Sequence, residues 1–179
     1  MKQNKYYILI LLICFSLQIN LSAQKLNKLI GTKFPKEVLE VKLYTQSGET
    51  VLFKDVLKEL EGNVIYIDFW ASSCGSCIKE MPYSKKVQQY FNKKNIAFLY
   101  LSTDKKQKNW INGLNIINIK GNHYRINTES KIHFKNLFKI KGIPFYTIID
   151  KNGNIADPKA KWPREQKLIY DIEKILKMK

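Results

Sequence analysis

"FWASSCGSCIKEMP", residues 69–82, holds two cysteines, Cys74 and Cys77, separated by Gly75 and Ser76. Such a pair suits three chemistries: half of a zinc site, a structural crosslink, or a dithiol that exchanges electrons. A tetrahedral zinc site takes four protein ligands, or three and an open position. The chain has no second cysteine pair, and His123 and His133 lie far along it, although distance in sequence leaves assembly in space open. A crosslink across so short a loop would remove little chain entropy. A redox dithiol accounts best for the pair.

The flanks sharpen this reading. Upstream, "NVIYIDFW" (63–70) is a dense apolar run of the kind buried on both faces of a sheet. Downstream, residues 74–92 read as a helix, with Pro82 inside it predicting a kink near Met81. Cys74 therefore stands where a strand ends and a helix begins. The free N–H groups and partial positive charge there favour a thiolate. Cys77 follows nearly one turn later, deeper in the helix. Cys74 is thus expected to attack a substrate disulfide and Cys77 to resolve the mixed disulfide. Asp68 puts a carboxylate inside the strand, where desolvation should raise its pKa and let it shuttle a proton to or from Cys77. The alternative is a strand-end aspartate turned to solvent.

Farther out, "VLEVKLYTQSGETVLFKDVL" (38–57) alternates apolar and polar residues around Ser47-Gly48 and predicts a hairpin. "IAFLYLST" (96–103) reads as a second buried strand, after which Asp104 is expected to cap the helix carrying Trp110. A polar irregular stretch follows, then a helix over 129–139. "PFYTIID" (144–150) reads as a strand, "KNG" (151–153) as a turn, and Ile155 as the start of a returning strand. Pro163 should start a last helix with Leu168, Ile169, Ile172, Ile175 and Leu176 on one face. Strands alternating with helices predict an α/β sheet covered on both faces.

Residues 1–23 read as a secretory signal peptide: Lys2 and Lys5, the apolar run "YYILILLICFSLQI", then "LSA" before a cut after Ala23. A retained membrane anchor is the alternative. Cys14 lies within the apolar run as a small hydrophobe. The remaining domain, 24–179, then carries only the quoted pair, in a compartment where disulfides form. The formal charge of +16 falls to +14 without Lys2 and Lys5. The lysines are scattered and arginine occurs only at Arg125 and Arg164, a pattern of solvated surface rather than a nucleic-acid site. Trp110 and Trp162 read as packing residues, and His123 as a surface or hydrogen-bonded histidine.

"DFWASSCGSC" resembles the active-site segment of the thioredoxin superfamily, and "KIKGIPFYTIIDKNGNI" (139–155) resembles its second hallmark. The signal peptide, the N-terminal hairpin and "CIKEMP" are similar to its exported TlpA/ResA branch. The resemblance implies an α/β three-layer fold with a central mixed sheet flanked by helices and an N-terminal β-hairpin extension. By position, it makes Cys74 the attacking and Cys77 the resolving cysteine. It makes Asp68 the buried acid and Pro144 a proline in cis that points the backbone of Ile143 at the substrate chain. Glu80 matches an acid that modulates the cysteines in the exported branch; an ordinary solvated helix glutamate is the other reading. Trp70 is expected on the substrate side with Ile143 and Pro144. Three positions depart from the family pattern: Ser73 for tryptophan, Ser76 for proline, and Phe145 for threonine, the last expected to border the substrate groove.

The implied activity is an exported thiol–disulfide oxidoreductase without a cofactor, monomeric and unrelated to nucleic acid. Its implied substrates are disulfides of envelope proteins such as apocytochrome c, and its electrons come from a membrane thiol–disulfide carrier. Two alternatives remain: a copper-delivery module using the cysteine pair and a histidine, and a thiol peroxidase.

Overall fold

In this computed structural model, which describes residue 24 and residues 26–178, "VIYIDFW" forms the centre of the molecule. The elements run α1 (Lys36–Leu39), β1 (Lys42–Tyr44), β2 (Thr50–Leu52), α2 (Phe53–Glu59), β3 (Val64–Trp70), α3 (Gly75–Tyr90) and β4 (Ile96–Ser102). They continue α4 (Gln107–Ile117), β5 (Asn122–Ile126), α5 (Lys131–Phe138), β6 (Phe145–Ile149), β7 (Ile155–Asp157) and α6 (Gln166–Leu176). The leader and Cys14 lie outside the described residues. Among the described residues, no helix is long and apolar enough to cross a membrane.

The seven strands form one mixed sheet in the order β2-β1-β5-β4-β3-β6-β7. All seven residues of β3 are buried, as a strand with helices over both faces must be. Alternate residues of a strand point to opposite faces, and the packing follows that period. Val64, Tyr66 and Trp70 join Cys77, Met81 and Val87 of α3, Trp110 of α4 and Leu168 and Ile172 of α6 in one core layer. Ile65, Ile67 and Phe69 join Val38, Phe53, Phe134 and Phe138 in the other, beneath α1, α2 and α5. That second layer is knit by edge-to-face rings, Phe53 on Phe134 at 4.9 Å and Phe69 on Phe134 at 5.3 Å between centroids.

Strand β4 lies parallel to β3, and β6 antiparallel to it with Phe69 opposite Phe145. An antiparallel neighbour begins where its partner ends. The residues just before β6 therefore arrive at the end of β3, where the cysteines are. This pairing, set by long-range contacts, builds the site.

Several sequence expectations shift. The hairpin forms around Gly48 at φ 91°, but its strands are only three residues long. Its flanks, KEVL and FKDVLKE, are helical and bury Val38, Phe53 and Val56 against the phenylalanine layer. The polar stretch after α4 contains β5, which pairs parallel with β4 and antiparallel with β1; its polarity reflects a strand whose first three residues are half-buried. The last helix starts at Gln166 with Glu165 as its N-cap, beyond Pro163. Helix α3 includes Pro82 as expected, with that proline on its exposed side.

Candidate active site

Strand β3 ends at Trp70, the chain turns through Ala71, Ser72 and Ser73, and Cys74 takes the N-cap of α3. Helical spacing brings Cys77 back over Cys74, and the two form a disulfide with Cα atoms 5.2 Å apart. The sulfurs are not equivalent. Cys77 is 0% exposed and packs in the core layer, whereas Cys74 is half-buried at its edge. The Cys77 N–H donates to Cys74 Sγ at 3.2 Å, and Ser76 Oγ lies 3.3 Å from the same sulfur. One amide of the first helical turn and the Ser76 hydroxyl thus face the sulfur that meets solvent, a setting that stabilises a thiolate once the bond is reduced. The Ile143–Pro144 peptide bond is cis, and Ile143 O lies 3.7 Å from Cys74 Sγ.

The turn that presents Cys74 is held from below by a residue the sequence placed elsewhere. Asp104 does not cap α4, whose N-cap is Lys106. Its carboxylate instead accepts from the Ser72 N–H at 2.9 Å, Ser72 Oγ at 2.7 Å and Ser102 Oγ at 2.7 Å. Three donors on one buried carboxylate pin the turn to the end of β4. Gly113 of α4 tightens the same seam: a Cβ there would sit 2.6 Å from Ser72 Cβ and 3.2 Å from the Trp70 ring. Only glycine lets the helix pack this closely.

Two expectations about the substrate side are corrected here. Trp70 is 0% exposed, so its ring packs behind the turn and offers no surface to a substrate. Phe145 turns to the opposite layer, 6.0 Å from Phe69 and 6.0 Å from Phe138, because β6 alternation sends Tyr146, not Phe145, to the cysteine face.

Two acids lie on the cysteine face of the core, both 0% exposed. Asp68 shares that face of β3 with Tyr66 and Trp70, and neither carboxyl oxygen has a hydrogen-bond partner. Burial, and secondarily the Glu80 carboxylate, push its pKa well above the usual aspartate range. A neutral carboxyl is the form this setting favours. Glu80 lies one turn beyond Cys77 and is the opposite case. The Arg164 backbone N–H donates to its Oε2 at 3.2 Å, and the Arg164 guanidinium pairs with Oε1. Glu80 is therefore a buried, ion-paired residue and not a solvated one. Nothing in the sequence links Arg164 to the cysteines, and sequence reasoning missed it.

Trp110 is fully buried, and His123 stacks on Tyr100 at 4.8 Å while its Nε2 meets Ile119 O at 2.9 Å. Burial holds the His123 pKa below the usual histidine value. Among the described residues, no three His, Cys, Asp or Glu side chains gather as a metal set.

Known proteins are similar to this chain in sequence and fold. The Bacillus thuringiensis (strain Al Hakam) thiol-disulfide oxidoreductase ResA is 26% identical over 101 residues, 56% of this chain and 57% of that protein, so the match spans little more than half of that relative's length. A ResA of Bacillus cereus is 25% identical over 167 residues, covering 88% of each chain. A solution structure of a Bacteroides vulgatus protein assigned as a thiol-disulfide oxidoreductase superposes with a TM-score of 0.67 at 29% identity, over 82% of this chain and 91% of that one. A model of the thioredoxin-like family matches residues 62–155, the span from the start of β3 to the start of β7 that carries both cysteines, both buried acids and the cis proline. The chain belongs to the thioredoxin-like family and is similar to its ResA members.

Proposed function

We propose that this chain is a thiol–disulfide oxidoreductase that reduces disulfides of cell-envelope proteins, apocytochrome c among them. The carrying observation is the asymmetry of the pair: Cys74 Sγ is half-buried and meets a helix N-terminal N–H and the Ser76 hydroxyl, while Cys77 is fully buried. In the reduced protein, the Cys74 thiolate attacks one sulfur of a substrate disulfide. A mixed disulfide forms and one substrate thiolate leaves. Cys77 then loses its proton to a nearby base and attacks Cys74 Sγ, closing the Cys74–Cys77 bond and releasing the second substrate thiolate. Two electrons pass to the substrate, and a membrane thiol–disulfide carrier restores the dithiol. Asp68, on the same face as Cys77, serves in its ionised form as the proton acceptor in the resolving step, its raised pKa making it the stronger base. Ile143, beside Cys74, offers its main chain to an extended substrate segment. Residues 1–23 direct export.

Cys77→Ser tests the order of events, because a hydroxyl cannot displace the bound thiol. Expressed with its leader in the native envelope, this variant should accumulate covalent complexes that dissolve on adding reductant. Cys74→Ser should give far fewer. No complexes from Cys77→Ser, together with stoichiometric copper on the wild type, would replace this reading with copper delivery.

A further inference from the structure

The two buried acids behind the cysteines differ in one respect: Glu80 has a counter-charge and Asp68 does not. That counter-charge comes from the segment just before α6, a part of the chain remote from the motif. We propose that Arg164 is the positioning residue that keeps Glu80 charged in the interior beside Cys77, and so divides the two acids into an ion-paired carboxylate and an unpartnered carboxyl.

The geometry is specific. Arg164 Nε and Nη2 both meet Glu80 Oε1, and the Arg164 main-chain N–H meets Oε2. Both carboxylate oxygens are thus served by one residue, the guanidinium bringing the charge to Oε1 and the main-chain N–H a second donor to Oε2. The Arg164 side chain is 47% exposed while Glu80 is 0% exposed, so the arginine reaches the acid from the surface. Two rings frame it there: the guanidinium carbon lies 5.5 Å from the Trp162 ring centroid and 5.8 Å from that of Tyr83. Trp162 in turn lies against Tyr146, at 6.3 Å between centroids.

The consequence falls on Cys77. Residues three apart on a helix are neighbours on one face, about 5–6 Å between Cβ atoms. Cys77 and Glu80 have that spacing and are both fully buried. The charged or titratable groups that face Glu80 are Asp68 and Tyr66 on β3, Tyr146 on β6 and Arg164 itself, with Tyr100 of β4 facing Asp68 and Tyr83 of α3 facing Arg164. Arg164 is the one cation among them. Without it, desolvation would leave Glu80 favouring its neutral form, because an uncompensated buried charge is strongly disfavoured. Arg164 thus sets how much negative charge Cys77 faces when it must become a thiolate.

This inference rests on the dithiol reading, but its test needs no substrate. The reduced full chain, labelled with 13C at cysteine Cβ, reports the ionisation of each thiol separately by NMR against pH. Arg164→Gln takes away the guanidinium charge that arrives from the surface and, with Glu80 neutral, the buried negative charge one turn from Cys77; the nearer charge dominates, and its loss makes the Cys77 thiolate easier to form. Arg164→Gln should therefore move the Cys77 transition to lower pH, and Arg164→Lys, which keeps the charge, should stay near wild type. The sharper comparison is the double variant Arg164→Gln/Glu80→Gln, which should overlay Arg164→Gln, since Glu80 would already be neutral. A double variant shifted further than Arg164→Gln would show that Glu80 keeps its charge unaided, and the proposal would fall. So would an unmoved or raised Cys77 transition in Arg164→Gln, or an Arg164→Lys curve that follows Arg164→Gln. Absence of disulfide reductase activity in the wild type would instead count against the enzyme reading, and would leave this titration as decisive as before.

Discussion

Asp68→Asn should make the oxidised protein more stable, by an amount that grows with pH. The substitution keeps size and shape and removes the acid's ionisation. Asp68 is 0% exposed with both oxygens unpartnered, and burial raises its pKa well above the ordinary value of 3.8. Below that ordinary value the folded and unfolded chains both hold the proton, and wild type and variant differ by a constant. Above it the unfolded chain releases the proton while the folded chain retains it, so wild type loses stability as pH rises. The loss accrues at about 1.4 kcal/mol per pH unit until the folded-state value is passed, then levels off. From the ordinary value to pH 7 is roughly three units, which sets a ceiling of about 4 kcal/mol at neutral pH. Urea denaturation of both proteins from pH 4 to pH 8, with the disulfide intact so that neither cysteine titrates, measures the difference directly. A difference that stays flat across that range, or that narrows as pH rises, would show that Asp68 is not a buried neutral acid. The raised pKa that makes its ionised form the stronger base would go with it.

Asp104→Ala removes the acceptor for Ser72 N–H, Ser72 Oγ and Ser102 Oγ, and leaving such donors unpaired costs about 1–3 kcal/mol; urea denaturation at pH 7 should show that loss, and an unchanged midpoint would mean the turn is held by other contacts. Cys74 should be the first thiol of the reduced protein to react with iodoacetamide at mildly acidic pH, mapped by peptide mass. Faster labelling of Cys77 would reverse the assigned roles.

The stretch from Asn63 to Pro82 contained most of what decides this fold and its chemistry. A continuous apolar run followed by a cysteine pair at a helix start is local information: burial on both faces, the helix N-terminus and the three-residue spacing all act within this one stretch. Strand β4, helix α5 and the turn at 151–153 were legible for the same reason, since each carries its own apolar period or turn residues. Sequence reasoning failed where neighbours far along the chain outweigh local pattern. The ends of the 38–57 segment alternate like strands, yet they fold as helices because Val38, Phe53 and Val56 are claimed by the phenylalanine layer. Trp70, expected on the substrate side, is buried because Gly113 lets α4 close over it. Asp104 looked like a helix cap, a local role, and was taken instead by Ser72, thirty-two residues upstream. The ion pair behind Cys77 depends on Glu80 and Arg164, eighty-four residues apart. No periodicity links those two positions, and only the packing of the segment before α6 against α3 brings them together. The sequence alone determined which bond is made and broken. Tertiary structure decided which charges stand behind it, because a buried charge needs a partner and the fold chooses where in the chain that partner comes from.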